Sequence, residues 1–276
     1  MEEPLTAIEA NRRLFRKLAS DYDRTELCVA SARHQRRLRA ALAEALAIVP
    51  QKPRVLDACG GSGNVAQSLA RQGLVPTVVD VSPEMVAQWR SKCHELGVEA
   101  DVHVAPIEEF LRTDGRTWDL IVFSSALHHL DDPGAVLEAA AARLGPRGAI
   151  LTIFDPTQAD RTVRIMRLVD WLGYLLIDQP GEFLTVVRRR VAGQGRRVAA
   201  GVEPHVGRTA ERYALSGIDD FALRRKLEDC HVTVLVHERF VDARLAMVRL
   251  LLRIVRRSSA FRLLVQKPDR RDDVPG

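Results

Sequence analysis

One stretch constrains the fold more than any other: Val55-Leu56-Asp57-Ala58-Cys59-Gly60-Gly61-Ser62-Gly63-Asn64-Val65-Ala66. Residues 54–59 read as a short apolar strand, three glycines turn the chain, and residues 64–72 read as a helix. Glycines placed there let a ligand approach the backbone closely, and the helix that follows presents unpaired N–H groups. The rhythm then repeats. Strands are expected at 76–82, 98–106, 117–126 and 148–156. Between them lie a helix from Pro83, capped by Ser82, a short helix through Phe110, and a helix over about 133–144. Strands alternating with helices imply βαβ units, a parallel sheet and right-handed crossovers. The ligand crevice of such a sheet lies at the carboxyl ends of its strands.

The flanks break the rhythm. Residues 7–48 read as helical, with Leu14, Leu18, Leu38, Leu42 and Leu46 at helical spacing, and Pro50 and Pro53 stop the segment. After Pro156, helices are expected at 160–177 and 180–192, then a Gly- and Arg-rich loop over 194–208. A helix capped by Ser216 runs through Glu228, and strands at 232–240 and 261–268 flank a helix over 243–257. The fold class expected is thus α/β, a doubly wound, Rossmann-like sheet of seven mostly parallel strands. Its parts are an N-terminal helical cap (1–50), a core (51–156), a helical insertion or lid (157–215) and a C-terminal return to the core (216–276).

Composition sets outer limits. With 46% hydrophobic and 28% charged residues the chain is globular rather than disordered. Its four cysteines form no CxxC pair, which suits a reducing cytoplasm better than a disulfide framework or zinc ribbon. No signal-like apolar segment is visible near Met1, and no long uncharged apolar run occurs. Residues 157–276 carry 23 basic against 15 acidic residues, a net of +8, while the first 156 carry 18 against 21, a net of −3. The basic part either faces an anionic partner or reflects an Arg-rich composition.

The glycine loop fits the dinucleotide pattern, as Gly61-x-Gly63-x-x-Ala66 with Asp80 17 residues after Gly63. A carboxylate at Asp80 suits a ribose diol. Asp57 discriminates between ligands. A pyrophosphate beside it would be disfavoured by roughly a few kcal/mol at an effective dielectric of about 20. S-adenosylmethionine (SAM), with an α-ammonium and a sulfonium, would be attracted. A nicotinamide dehydrogenase is accordingly the weaker reading, and a helix or loop cap is the bland role for Asp57.

VLDACGGSGN, VVDVSPEMV, WDLIVFSSALHHLDDP and LGPRGAILTIFDP, in that order, resemble the successive motifs of class I SAM-dependent methyltransferases. The loop is most similar to the small-molecule subgroup that includes ubiquinone and menaquinone biosynthesis enzymes, and FRKLASDYDR (15–24) resembles that subgroup's first helix. The likeness spans about 14–156 and returns at the terminal strands; residues 157–215 match no family motif. It implies SAM as cofactor. Asp57, Gly61 and Gly63 would hold the methionine part, with Cys59 in the same loop. Asp80 would bind the ribose, Val81, Met85 and Ile107 the adenine, Ser124 the α-ammonium through its carbonyl, and Tyr22 would close over the methionine end. Two departures stand out. Cys59 occupies a common glycine position, and Ala105-Pro106 replaces an adenine-binding Asp, so that contact is either missing or made by Glu108.

Methyl transfer mainly needs alignment, and a base only for a poorly ionised acceptor. His129 and His128, after the fourth strand, are the catalytic candidates; each has an alternative role in orienting the loop. Asp131 and Asp132 suit helix capping better than metal binding. Asp155, His34, His205 and Tyr213 are further polar candidates whose bland role is structural. The acceptor expected is a small molecule, lipid-like, quinone or polyketide, given Trp171 and Tyr174 among aliphatics. RNA methylation and a non-catalytic adenosyl-binding module are the alternatives, and nucleic acid is disfavoured by the 5% aromatic content and the lack of an RNA module. The helix over 243–257 carries Arg249, Arg253 and Arg256 among leucines. It fits either an anionic membrane surface or packing on the sheet under Arg stems.

Overall fold

The structure, a computed structural model, describes residues 5–178, 204–210, 212–214 and 216–269. The helix expected at 180–192 lies outside the described residues, as do the side chains of residues 174–178, Tyr174 among them.

Seven strands form one sheet: β1 (Val55–Ala58), β2 (Thr77–Asp80), β3 (Val102–Val104), β4 (Trp118–Ser124), β5 (Leu144–Pro156), β6 (Thr233–Phe240) and β7 (Ala260–Gln266). Their order is β3-β2-β1-β4-β5-β7-β6, and β7 alone runs antiparallel to its neighbours. The order reverses at β1, so β1, β2 and β4 open a crevice at their carboxyl ends. Register puts Asp57 beside both Val78 and Val122. Burial on both faces explains the continuous apolar reading of β1 and β4. Leu56, Ile121 and Phe123 meet α7 (Ile107–Thr113), α8 (Pro133–Ala142) and α11 (Asp220–Asp229) on one face. Val55, Leu120 and Val122 meet α4 (Ala32–Ile48) and α5 (Asn64–Ala70) on the other. The remaining helix of the core, α6 (Pro83–Leu96), is capped by Ser82, whose side chain accepts from the Met85 amide at 3.3 Å.

The N-terminal helix differs from expectation. It divides into α1 (Ala7–Leu18), a 3-10 turn, α2 (Tyr22–Thr25), α3 (Leu27–Ala30) and α4, with extended backbone at Glu26 and Ser31. Tertiary bonds outweigh helix continuity there. Asp23 accepts from Ser62 Oγ and from Lys92 Nζ, both at 2.5 Å, which ties the segment to the glycine loop. Two more boundaries change. The helix after residue 216 begins at Asp220, because Asp219 rather than Ser216 provides the cap, accepting from Ala222 at 3.0 Å. Part of the loop expected over 194–208 is helix α10 (Pro204–Ala210), which buries Val206 and Ala210 against Ala10 and Leu14 of α1. Helices α9 (Arg161–Asp178) and α12 (Ala246–Ile254) pack together through Val163, Val248 and Leu252. Among the described residues no helix is long and apolar enough to cross a membrane.

Candidate active site

A cavity opens above the glycine loop, between the strand ends and α1. Its wall includes Asp57, Cys59, Gly61, Asp80, Val81, Met85, Pro106, Ile107, Ser124, Tyr22 and His129, all named from sequence. The structure therefore gathers most of the candidates from five separate segments. Gly63 and His128 are not among the lining residues. Gly63 serves packing instead: a Cβ there would lie 2.4 Å from the Trp89 ring, and its φ of +81° suits glycine.

Cys59 also has a left-handed φ, +55°, which explains why glycine is natural at this step and marks local strain. Desolvation, reinforced by Asp80, Glu108, Asp57 and Asp155, pushes its thiol well above the usual range, so it stays protonated and non-nucleophilic. Gly61 shares that left-handed backbone, with a φ of +55°. Its N–H donates to Asp80 Oδ2 at 2.9 Å, and a Cβ would press to 3.1 Å from Met85 Cε.

Two buried carboxylates dominate the electrostatics. Asp57 Oδ2 accepts from the Ala66 amide of α5 at 3.1 Å, yet burial raises its pKa to about 7, the Ala66 bond opposing and Asp80 reinforcing the rise. Asp80 accepts from Gly61 and, at 2.8 Å, from Ser82; burial still lifts it to about 6. A cavity that holds two desolvated carboxylates favours cations and hydroxyl donors and disfavours a pyrophosphate. Two more acceptors in its wall, Asn11 Oδ1 and Ser124 Oγ, are buried without a partner among the described residues. Such groups fit a ligand with polar hydrogens.

The roof is made by tertiary contacts that a linear reading misses. Asn11 Nδ2 donates to the His129 carbonyl at 3.0 Å, and Phe15 meets the His129 ring edge-on at 5.3 Å. Phe15 and Tyr22 cover Met85, and Arg12 Nε donates to the Val81 carbonyl at 3.1 Å. Asn11 was detectable in principle, as the one polar residue on the Ala7-Ala10-Leu14 stripe of α1.

His129 Nδ1 lies 2.8 Å from the Ala210 carbonyl. A carbonyl only accepts, so Nδ1 carries the proton and Nε2 is the acceptor nitrogen of the neutral ring. His128 Nδ1 lies 2.8 Å from Asp155 Oδ1, which also accepts the His128 amide at 3.1 Å. The same logic applies to its tautomer. Asp155 is fully buried, and its Oδ2 has no partner among the described residues. Asp132 caps α8 through the Ala135 amide at 2.9 Å, whereas Asp131 pairs with Arg212 at 2.9 Å. His34 bonds Asp242 at 2.5 Å beneath α4, and Tyr213 donates to the Asp131 carbonyl at 3.3 Å. His205 is exposed on α10. Among the described residues no three His, Cys, Asp or Glu side chains converge on a metal position.

A family profile described as a methyltransferase domain matches residues 30–196, more than half of the chain. The chain belongs to this methyltransferase family. The ubiquinone biosynthesis O-methyltransferase of Xylella fastidiosa is 35% identical over 97 residues, covering 35% of this chain and 39% of that protein. The corresponding enzyme of Xanthomonas axonopodis is 34% identical over 101 residues, covering 37% and 42%. The aligned part therefore spans about two fifths of these relatives. Among solved structures, magnesium protoporphyrin IX methyltransferase from Synechocystis, with bound SAM, superposes with a TM-score of 0.58 at 13% identity, covering 97% of this chain and 100% of that one. The N-methyltransferase NodS from Bradyrhizobium japonicum, in complex with S-adenosylhomocysteine (SAH), superposes with a TM-score of 0.54 at 15% identity, covering 94% and 99%. At these identities the likeness establishes the methyltransferase fold.

Proposed function

We propose that this methyltransferase-family chain transfers a methyl group from SAM to a small-molecule acceptor with an apolar body. The observation that carries the reading is the pair of buried carboxylates, Asp57 and Asp80, in one cavity beside Gly61. Bound SAM supplies a methyl group already activated on a sulfonium. Asp57 attracts the α-ammonium, and Asp80 accepts from the ribose hydroxyls. Asn11 Oδ1 and Ser124 Oγ provide the further polar contacts that their burial demands. Val81, Met85 and Ile107 form the apolar bed for the adenine, and Glu108, also in the wall, takes the place of the missing Asp.

The protein's remaining work is to align the acceptor and exclude water. His129 faces the same cavity with Nε2 as its acceptor nitrogen and suits proton removal from an acceptor hydroxyl. His128, oriented by Asp155, is the second candidate. Ala7, Ile8, Phe15 and Leu130 give the roof an apolar lining. That lining and the relatives' role in ubiquinone biosynthesis support a phenolic, quinone-like or polyketide acceptor.

A thermal melt with SAH, NAD and NADP tests the cofactor. Ligand at about 100 times its Kd adds roughly 2.7 kcal/mol, a shift of several degrees with SAH alone. A shift with NAD alone overturns the reading. Methyl transfer from labelled SAM to a panel of phenols, amines and activated carbons then identifies the acceptor atom.

A further inference from the structure

Helix α12 has two apolar faces. Val248 and Leu252 are buried against α9. Met247, Leu250, Leu251 and Ile254, at the i, i+3, i+4, i+7 spacing of one helical stripe, are instead 57%, 58%, 37% and 66% exposed. An outward stripe of four large apolar side chains on a helix only nine residues long is not required by the fold.

The stripe is held rigidly. Asp170 of α9 accepts from the Arg244 and Leu245 amides, at 2.8 and 2.7 Å, as α12 begins. Gly173 leaves room for Leu245, since a Cβ there would lie 2.2 Å from Leu245 Cδ1. The presented face is thus a built surface of the α9–α12 pair.

Its charge is one-sided. From Ala243 to Pro268 the sequence has no acidic residue and seven basic ones. Arg253 and Arg256 have no ion-pair partner among the described residues. Arg257 pairs with Asp160 at 2.6 Å and Arg262 with Glu44 and Glu238 at 2.9 and 3.3 Å, so the charge left for a partner is that of Arg253 and Arg256. Topology fixes the location. β6 runs parallel to β5, so α12, which follows β6, lies at the carboxyl end of the sheet, the same end as the cavity.

We propose that the outer face of α12 docks on an anionic lipid bilayer, with Met247, Leu250, Leu251 and Ile254 entering the interface and Arg253 and Arg256 meeting headgroup phosphates. Apolar side chains flanked by arginines that lack an ion-pair partner are what an interfacial helix requires. The proposal does not depend on the methyl-transfer reading.

The test is co-sedimentation of the full chain with phosphatidylglycerol vesicles and with phosphatidylcholine vesicles. Binding to phosphatidylglycerol should exceed binding to phosphatidylcholine and weaken at 0.5 M salt. Arg253→Ser with Arg256→Ser should lower partitioning about 30-fold, each arginine contributing roughly five- to sixfold. Leu250→Ser with Ile254→Ser should lower it by about tenfold or more. Both pairs are surface changes and should leave the melting midpoint in place. Equal binding to the two vesicle types, or binding indifferent to both double variants, overturns the proposal. So does a dimer in solution that Leu250→Ser with Ile254→Ser dissolves, because the stripe would then be a contact between copies.

Discussion

The raised pKa of Asp57 makes cofactor affinity depend on pH in a direction that can be worked out beforehand. Its carboxyl is 1% exposed and has the Ala66 amide as a hydrogen-bond partner, and burial lifts it to about 7. In the unfolded chain the group titrates near ~3.9. Its folded value is raised, so its contribution to stability is present below about pH 4 and is lost as pH rises through about 7. Binding of an α-ammonium has the opposite preference, for the ionised carboxylate. At pH 7 about half of the molecules carry it; at pH 5 about one in a hundred does. The apparent Kd for SAH should therefore rise about 50-fold between pH 7 and pH 5. Proton release on binding should grow from about one half towards one over the same interval. Calorimetry at both pH values, in buffers of different ionisation enthalpy, reads both quantities. Asp57→Asn should weaken binding at pH 7 and flatten the pH dependence. A Kd that moves less than about threefold, or an unchanged slope in Asp57→Asn, would show that Asp57 does not meet the ammonium.

Other perturbations separate stability from binding. Gly63→Ala drives a Cβ into the Trp89 ring at a left-handed backbone position and should cost at least about 2 kcal/mol, read as a lower midpoint in a thermal melt. Asp23→Ala removes the acceptor shared by Ser62 and Lys92 and leaves the buried Ser62 hydroxyl without that partner; it should weaken SAH binding by roughly tenfold and also lower the melting midpoint, by the equivalent of about 1–3 kcal/mol. If His129 takes the acceptor proton, His129→Ala should lower kcat by about 10²–10⁴ and abolish the acidic limb of the pH–rate profile, with SAH affinity within a few-fold. Asp155→Asn would do the same only if His128 is the base, since Asp155 bonds His128 and not His129.

The strand–glycine–strand core was legible because its signals are local. The turn after β1, the carboxylate ending β2 and the proline that opens α6 are each specified within a few residues, and pairing with β1 brings them together. The roof was not legible, because its geometry is set by partners far away in the chain. Residues 7–48 contain few helix breakers and read as helical, yet Asp23 finds Ser62 and Lys92, 39 and 69 residues on, and the helix divides there. The segment before Ala210 carries no strong helical pattern of its own and becomes helical against α1, where Val206 and Ala210 find Ala10 and Leu14. Helix α12 poses a third kind of problem. Val248 and Leu252 define one apolar stripe and Met247, Leu250, Leu251 and Ile254 another, so periodicity alone cannot say which is buried. The choice comes from Asp170 and Gly173, which fix how α12 lies on α9 and turn the larger stripe outward. Asn11 joins these lessons. On α1 alone it is a polar residue misplaced on an apolar face. Once α1 closes over the cavity, its Nδ2 holds the His129 backbone while its Oδ1 stays buried in the cavity wall without a partner among the described residues. A locally unfavourable residue of this kind is where a binding function is expected to show itself.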